Sequence, residues 1–222
     1  GCVLLTAIRF TSSASRLAIL HTRAIRSSTL LRAAALSIAR RYSDWTMPIH
    51  PLPDLWLLSG ARNDAALEEA LATLPEGSGF VFRHYHLQPA KRRERWEMLR
   101  SIVRSKNHLM VLSGDADTGI EWGADGIYGP PEELGKRPCL LRLATAHDAR
   151  EIHLADRNGA DALFLSPVFP TRSHPDGTAL GAAMFHDLAA RSTIPVIALG
   201  GMTVERAREL GVRRWAAIDG LS

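Results

Sequence analysis

The stretch that decides the fold is IPVIALGGMTVERAREL, residues 194–210. Its apolar run Val196–Leu199 is typical of a strand that is buried on both faces of a parallel sheet. Two glycines follow, and then Thr203, which can cap a helix predicted over Val204–Leu210. A buried strand, a Gly-Gly turn and an amphipathic helix in this order predict one β/α unit.

The same unit recurs from Met47 to the end of the sequence. Further apolar runs predict strands at 55–59, 80–85, 109–112, 126–128, 140–143, 162–167 and 215–218. Helical patterns between them cover 64–74, 90–104, 146–157 and 182–191. Buried strands that alternate with helices in this way predict an α/β fold, a compact (β/α)8 TIM barrel over 47–222. Because the sequence stops directly after the eighth strand, the barrel is expected to lack its last helix.

Residues 1–46 differ from the rest of the chain and are treated as a separate leader. They contain seven arginines, one aspartate and no methionine, whereas ordinary domain composition begins at Met47. Three explanations stay open: a start wrongly extended upstream of Met47, a targeting segment such as a transit peptide, and a genuine extra helix over 29–41. The leader is expected to be disordered or to form one short helix.

Composition excludes several classes of protein. The chain carries a net charge of +4, but the arginines of the leader supply all of it. The barrel region is therefore close to neutral, and no basic surface for nucleic acid is predicted. The sequence has no apolar run of the roughly 18 residues that a membrane helix needs. Its two cysteines, Cys2 and Cys139, are too few for a disulfide framework, and a cytoplasmic location is expected, or an organellar one if the leader is a transit peptide.

Polar residues at the ends of the predicted strands are the candidates for function, because barrel enzymes act at the carboxyl ends of their strands. Arg83 ends an apolar strand, where a guanidinium favours an anionic partner. His147 is placed to act as a general acid or base, although a solvated or capping histidine fits the same pattern. Gly200 and Gly201 allow a phosphate to approach the backbone, although a tight turn alone would explain them. The long loop 167–175, rich in hydroxyls, predicts a substrate lid.

Several motifs follow one another in a fixed order. They are TAH at 145–147 with Glu151, GAD at 159–161, SPVFPTRSHP at 166–175, LG at 180–181 and IPVIALGGM at 194–202, with ADGIY at 124–128 before them. In this order they resemble the thiamine phosphate synthase and thiazole tautomerase superfamily. The resemblance covers about 47–222, is strong over 145–202 and is weak before residue 120.

The resemblance implies an enzyme of thiamine biosynthesis that joins hydroxymethylpyrimidine diphosphate to hydroxyethylthiazole phosphate. Diphosphate leaves, a pyrimidine cation forms, and the thiazole nitrogen attacks it, with Mg²⁺ on the diphosphate. The catalytic residues implied are Arg83, His147 and His174. The substrate-binding residues implied are Thr145, Thr171, Ser173, Gly200, Gly201, Ile218 and Asp219. The metal ligands implied are Asp115 and Glu133.

The chain departs from the family's motifs mainly on the diphosphate side. The motif of the second strand keeps only Arg83. The Asn-Asp pair after the third strand appears as Ser113-Gly114, with Asp115 one place later. His174 replaces a lysine, and Asp219 places a carboxylate where a phosphate would rest. Removing several cationic or metal contacts would weaken binding of the transition state.

Two alternatives to the synthase therefore stay open. One is a thiazole tautomerase that uses His147 as acid and base without a metal, and the other is a non-catalytic protein that binds a thiazole phosphate. The expected partners are small phosphorylated thiazole and pyrimidine substrates, and neither nucleic acid nor a membrane is expected. A homodimer is compatible with the sequence.

Overall fold

The computed structural model describes residues 51–135, 139–172, 178–219 and 221. These residues form a closed barrel of eight parallel strands in chain order. The strands are β1 (Leu55–Leu58), β2 (Gly79–Phe82), β3 (Leu109–Ser113), β4 (Gly126–Gly129), β5 (Leu141–Ala146), β6 (Ala162–Leu165), β7 (Val196–Leu199) and β8 (Trp215–Ala217). The helices are α1 (Leu67–Thr73), α2 (Pro89–Ser105), α3 (Ala116–Trp122), α4 (Ala149–Asn158), α5 (Gly181–Ala189) and α6 (Val204–Leu210). The predicted (β/α)8 barrel is confirmed, while the leader and its boundary at residue 47 lie outside the described residues.

The barrel interior is filled by side chains, so that it forms a packed core. The rings of Trp56 and Phe164 meet edge to face with centroids 5.5 Å apart, and Tyr128 meets Phe164 at 5.1 Å. A Cβ on Gly79 would lie 2.1 Å from the Trp56 ring, so β2 needs glycine there to admit the tryptophan. Because buried side chains fill the interior, we expect the ligand to bind at an end of the barrel.

Three helices begin with side-chain caps, which explains where the chain turns from loop to helix. The carboxylate of Asp115 accepts from the Thr118 N–H at the start of α3, and that of Asp148 accepts from the Glu151 N–H at the start of α4. Thr203 caps α6, as predicted. In the described part of the chain, no helix is both long and apolar enough to cross a membrane.

The largest differences from the predicted strands lie at the carboxyl ends of β2 and β5. Strand β2 ends at Phe82 and not at Tyr85, because the chain leaves the sheet at His84, which has a φ of 42°. Strand β5 continues to Ala146, which pairs with Leu165, and so places Thr145 inside the strand. Helix α3 was absent from the predicted elements.

Candidate functional site

The carboxyl ends of the strands surround a cavity of about 310 Å³, which we call the central cavity. It is lined by Arg83, Tyr128, Thr145, His147, Ser166, Pro167, Thr171, Thr178, Leu199, Gly200 and Ile218. Strands β2, β4, β5, β6 and β7 each contribute a residue at or just beyond their carboxyl ends. Side chains from distant parts of the sequence therefore meet at one mouth of the barrel, as expected for this fold.

A second cavity of about 410 Å³ adjoins the first, and we call it the glycine cavity. It shares Thr171, Leu199, Gly200 and Ile218 with the central cavity and is completed by Pro170, Arg172, Gly201, Met202, Thr203, Arg206, Ala217 and Asp219. The shared residues allow one elongated ligand to occupy both cavities.

The Gly-Gly turn shapes the glycine cavity through its backbone. Gly200 has a φ of 96° and Gly201 a φ of 62°, a region that favours glycine. A Cβ on Gly200 would lie 2.7 Å from the Pro167 Cα, and one on Gly201 would lie 2.6 Å from the Pro170 carbonyl oxygen. The loop after β6 packs directly on the turn, with the Phe169 N–H donating to the Gly200 carbonyl at 3.0 Å.

Two arginines give the glycine cavity its positive charge. Arg206 lies 4.9 Å above the Phe169 ring and donates to the Gly201 carbonyl, and Arg172 lines the cavity from the loop after β6. The carboxylate of Asp219 also lines this cavity and forms an ion pair with Arg62 at 3.1 Å. That ion pair counters the negative charge that we expected to oppose a phosphate here. The cavity therefore suits a phosphate monoester.

Arg83 is held rigidly at the mouth of the barrel. Its backbone N–H donates to the Ser59 Oγ at 2.8 Å, and its Nε donates to the Ser59 carbonyl at 2.7 Å. The guanidinium lines the central cavity and also a cavity of about 420 Å³ beside it, which contains Arg62, His84 and His86. Burial raises the pKa of the nearby Tyr128 phenol, so Tyr128 stays neutral and can donate a hydrogen bond.

His147 reaches the central cavity from the end of β5. Its Nδ1 lies 2.8 Å from the Glu151 Oε2, which also accepts from the His147 backbone N–H at 2.7 Å. A carboxylate at Nδ1 favours the tautomer that carries its proton there and leaves Nε2 basic. The side chain is 53% exposed, so it can exchange protons with solvent.

In the described residues, Asp115 caps a helix, and Glu133 lines a cavity that Asp115 does not line. One oxygen of Asp115 accepts from the Thr118 N–H at 2.8 Å, and the other accepts from the Thr118 hydroxyl at 2.7 Å. These hydrogen bonds lower the pKa of Asp115. Glu133 instead lines a separate cavity of about 140 Å³ with Ser113 and Tyr85. Among the described residues, no group of three or more His, Cys, Asp or Glu side chains is placed to hold a metal ion.

The donor set around Glu133 does not fit Mg²⁺, which prefers several oxygen ligands in an octahedral arrangement. The Ser113 hydroxyl is bonded to the Tyr85 hydroxyl, and the Ser113 carbonyl accepts from the Arg92 guanidinium at 2.6 Å. Burial lowers the pKa of Arg92, but an arginine stays charged at neutral pH. A fixed cation therefore lies against Ser113, which lines this cavity, and it disfavours a metal ion there.

Most of the site residues predicted from the sequence meet at the barrel mouth. The central cavity and the glycine cavity contain Arg83, Thr145, His147, Thr171, Gly200, Gly201, Ile218 and Asp219. Asp115 caps α3 and Glu133 lies in its own cavity. Ser173 and His174 lie outside the described residues.

Sequence reasoning missed Arg206, Tyr128 and His84 as parts of the site. Arg206 lies one helical turn after the Gly-Gly pair, a spacing that would have placed it near the turn. Tyr128 ends the fourth predicted strand, so its position at the mouth was readable. The contact of His84 with Ser59 gave no such signal, because it joins residues 25 positions apart.

The sequence of this chain is similar to a known protein family and to several known proteins. The family model described as thiamine monophosphate synthase matches residues 57–221. A relative from Aquifex aeolicus is 30% identical over 116 residues, which cover 50% of this chain and 62% of that protein. The thiamine-phosphate synthase of Pyrococcus furiosus is 27% identical over 165 residues, which cover 70% of this chain and 79% of that protein. The match to the Aquifex protein thus spans less than two thirds of its length.

A solved structure agrees with these sequence matches. The thiamine phosphate pyrophosphorylase from Pyrococcus furiosus superposes with a TM-score of 0.64 at 25% identity. The superposition covers 77% of this chain and 87% of that one. The region that the family model matches contains strands β2 to β8 and all of β1 except its first two residues.

Proposed function

This chain belongs to the thiamine monophosphate synthase family, and we propose that it joins hydroxymethylpyrimidine diphosphate to hydroxyethylthiazole phosphate. The products are thiamine phosphate and diphosphate. The observation that carries the proposal is the meeting of Arg83, Thr145 and His147 with Thr171 and Gly200 in one cavity. A transferase of this kind has to hold two charged substrates side by side, and the two adjoining cavities provide the room.

The thiazole phosphate is assigned to the glycine cavity. Its phosphate lies against the Gly200-Gly201 turn, which lines this cavity, and Arg206 and Arg172 supply charge. The Thr171 hydroxyl lines both cavities and orients the ring, with Ser173 proposed as a second hydroxyl. The thiazole nitrogen then faces the central cavity.

The pyrimidine diphosphate is assigned to the Arg83 side of the mouth. As the bond between the pyrimidine methylene carbon and the diphosphate oxygen breaks, negative charge grows on the leaving group. The Arg83 guanidinium is fixed in advance by Ser59, so it stabilises this charge without reorganising. Thr145 and His174 are proposed as further contacts to the diphosphate. The thiazole nitrogen donates its electron pair to the methylene carbon and completes the new C–N bond.

The proposal is tested by incubating the full chain with both substrates and measuring thiamine phosphate by chromatography, with and without Mg²⁺. Product that requires both substrates supports the synthase. Turnover of the thiazole carboxylate phosphate alone, lost in His147→Ala, would favour the tautomerase. Binding of the thiazole phosphate without turnover of either substrate would favour a non-catalytic binding protein.

The finer properties of the protein are proposals with their own tests. We propose a cytoplasmic enzyme, without nucleic-acid partners, that forms a homodimer. Light scattering coupled to size-exclusion chromatography would report twice the chain mass of 24.3 kDa for the dimer. Addition of nucleic acid is expected to leave the elution volume unchanged.

A further inference from the structure

A line of hydrogen-bonded polar side chains, formed by the buried Ser59 and His84 and the partly exposed Asp64, lies directly behind Arg83. The Ser59 Oγ is 2.7 Å from the His84 Nδ1, and the His84 Nε2 is 2.8 Å from the Asp64 Oδ1. Ser59 and His84 are both 0% exposed. Buried polar groups with partners on every side are costly to break, so this line is a rigid part of the site.

The hydrogen bonds assign the protons along this line. The Ser59 Oγ accepts the backbone N–H of Arg83, so its own hydrogen is free to point at the His84 Nδ1. The imidazole then carries its single proton on Nε2 and donates it to Asp64. The far end is anchored by Arg95, whose Nε donates to the Asp64 Oδ1 at 2.8 Å.

His84 adopts a backbone conformation that is uncommon for any residue but glycine, with a φ of 42°. Its ring stacks on Phe82 with centroids 4.4 Å apart and planes 13° from parallel. Stacking on one face and hydrogen bonds at both nitrogens hold the chain in this turn. The turn places Arg83 immediately before it, at the rim of the central cavity.

We propose that Ser59, His84 and Asp64 are positioning residues that fix Arg83 for the departing diphosphate. The inference rests on the proposed function, since it deepens the role of Arg83 in that reaction. The same three residue types form nucleophilic triads elsewhere, but here the Ser59 hydroxyl is fully buried and already both donates and accepts. His84 therefore acts through Ser59 on Arg83 and not on a substrate.

The chain offers a matched control at the opposite end of the barrel. His108 is also buried, its Nδ1 accepts from the Ser78 N–H at 3.1 Å, and its Nε2 lies 3.0 Å from the Leu71 carbonyl. Like His84 it has a pKa lowered by burial. It precedes β3, far from the mouth in the fold. His84→Asn and His108→Asn thus remove equivalent buried imidazoles, and asparagine tolerates the positive φ at position 84.

The experiment compares steady-state kinetics of the wild type, Ser59→Ala, His84→Asn and His108→Asn. We expect Ser59→Ala and His84→Asn to lower kcat/KM for the pyrimidine diphosphate about 10- to 100-fold. The KM for the thiazole phosphate stays within about twofold, because the glycine cavity is untouched. Asp64→Asn keeps an acceptor for His84 and retains more activity than Asp64→Ala. Equal kinetics for His84→Asn and His108→Asn would overturn the proposal.

Two measurements keep this test separate from the test of the proposed function. Titration calorimetry with inorganic diphosphate is expected to show about 10-fold weaker binding to His84→Asn than to His108→Asn, whether or not the enzyme turns over. Nitrogen-15 spectra of labelled histidines at pH 7.5 should show the Nε2–H tautomer for both His84 and His108, and only the His84 signals should change in Ser59→Ala. If the wild-type protein makes no product, only the proposed synthase activity is refuted, and the positioning role still stands. Equal diphosphate affinities, or no binding by the wild type, refute the positioning role.

Discussion

The two sides of the barrel mouth are built in different ways. On the β1–β2 side, the site is made by side chains, with Arg83 held by Ser59 and Ser59 held by His84. On the β6–β7 side, it is made by the backbone, with Gly200 and Gly201 packed against the loop that follows β6. A site made by backbone shape restricts its residues to glycine, whereas a site made by side chains can be rebuilt from other residue types.

This difference coincides with where the resemblance to the family is strong and where it is weak. The glycine turn and its loop lie within the strongly matching region, 145–202. The side to which we assign the diphosphate keeps Arg83 but has a different set of groups around it. The following predictions separate the contributions of the two sides, beginning with the largest effect.

Removal of the Arg83 charge is expected to have the largest effect. Arg83→Gln should lower kcat/KM for condensation about 100- to 1000-fold, or about 3–4 kcal/mol, because the charge on the leaving diphosphate loses its fixed partner. Arg100→Gln is the control, since Arg100 contacts Glu97 on the surface of α2. Steady-state kinetics measure both variants. A decrease of less than threefold in Arg83→Gln would place the diphosphate elsewhere.

A substitution in the Gly200-Gly201 turn, on the side of the site that the backbone forms, is expected to lower the free energy of unfolding. Gly200→Ala introduces a Cβ 2.7 Å from the Pro167 backbone at a φ of 96°, whereas Gly211→Ala has a φ of 69° but nothing within 4 Å. The free energy of unfolding in urea should fall about 2 kcal/mol further in Gly200→Ala than in Gly211→Ala. Thiazole phosphate binding should weaken only in Gly200→Ala. Equal losses in the two variants would mean that the loop after β6 adjusts freely.

The buried histidines at the two ends of the barrel are expected to make stability depend on pH. Burial lowers the pKa of His84 and of His108 below the ordinary value of 6.5, although the bond to Asp64 acts in the opposite direction at His84. The unfolded chain therefore binds more protons than the folded one just below pH 6.5, and stability falls as the pH is lowered through that range.

The slope is at most about 1.4 kcal/mol per pH unit for each histidine. Urea unfolding at pH 7.5 and pH 5.5 measures it, and His108→Asn should reduce the slope. Asp64, whose pKa is lowered by His84 and Arg95 against the effect of burial, stays ionised over this range and contributes no slope. A slope that is unchanged in His108→Asn would contradict the prediction for that residue.

The smallest effect is expected at His147. The attack of the thiazole nitrogen requires no proton transfer at this position, so His147→Ala should change the condensation rate less than about threefold. Glu151→Gln, which alters the partner of the His147 Nδ1, should behave in the same way. Condensation and conversion of the thiazole carboxylate phosphate are measured on the same preparation. A large loss of the second activity alone would identify a tautomerase.

Much of this architecture was predictable from residue patterns because it depends on local chemistry. Short apolar runs located all eight strands, and Thr203 was identified as a cap from its place before Val204. Helix α3 was not predicted, because the segment is only seven residues long and contains Gly119, a poor helix former. The carboxyl end of β2 was predicted too late in the sequence, because no local sequence signal indicates the turn at His84.

By itself, the sequence determined the barrel and the Gly-Gly turn, since periodicity and the conformational freedom of glycine act over neighbouring residues. Only the tertiary structure decided which polar groups meet. In the folded chain, Asp115 accepts a hydrogen bond from Thr118, and Asp219 forms an ion pair with Arg62. Ser59 is hydrogen-bonded to His84, and His84 to Asp64. Those contacts depend on how separate strands pack around a common mouth, so they cannot be predicted from spacing along the sequence.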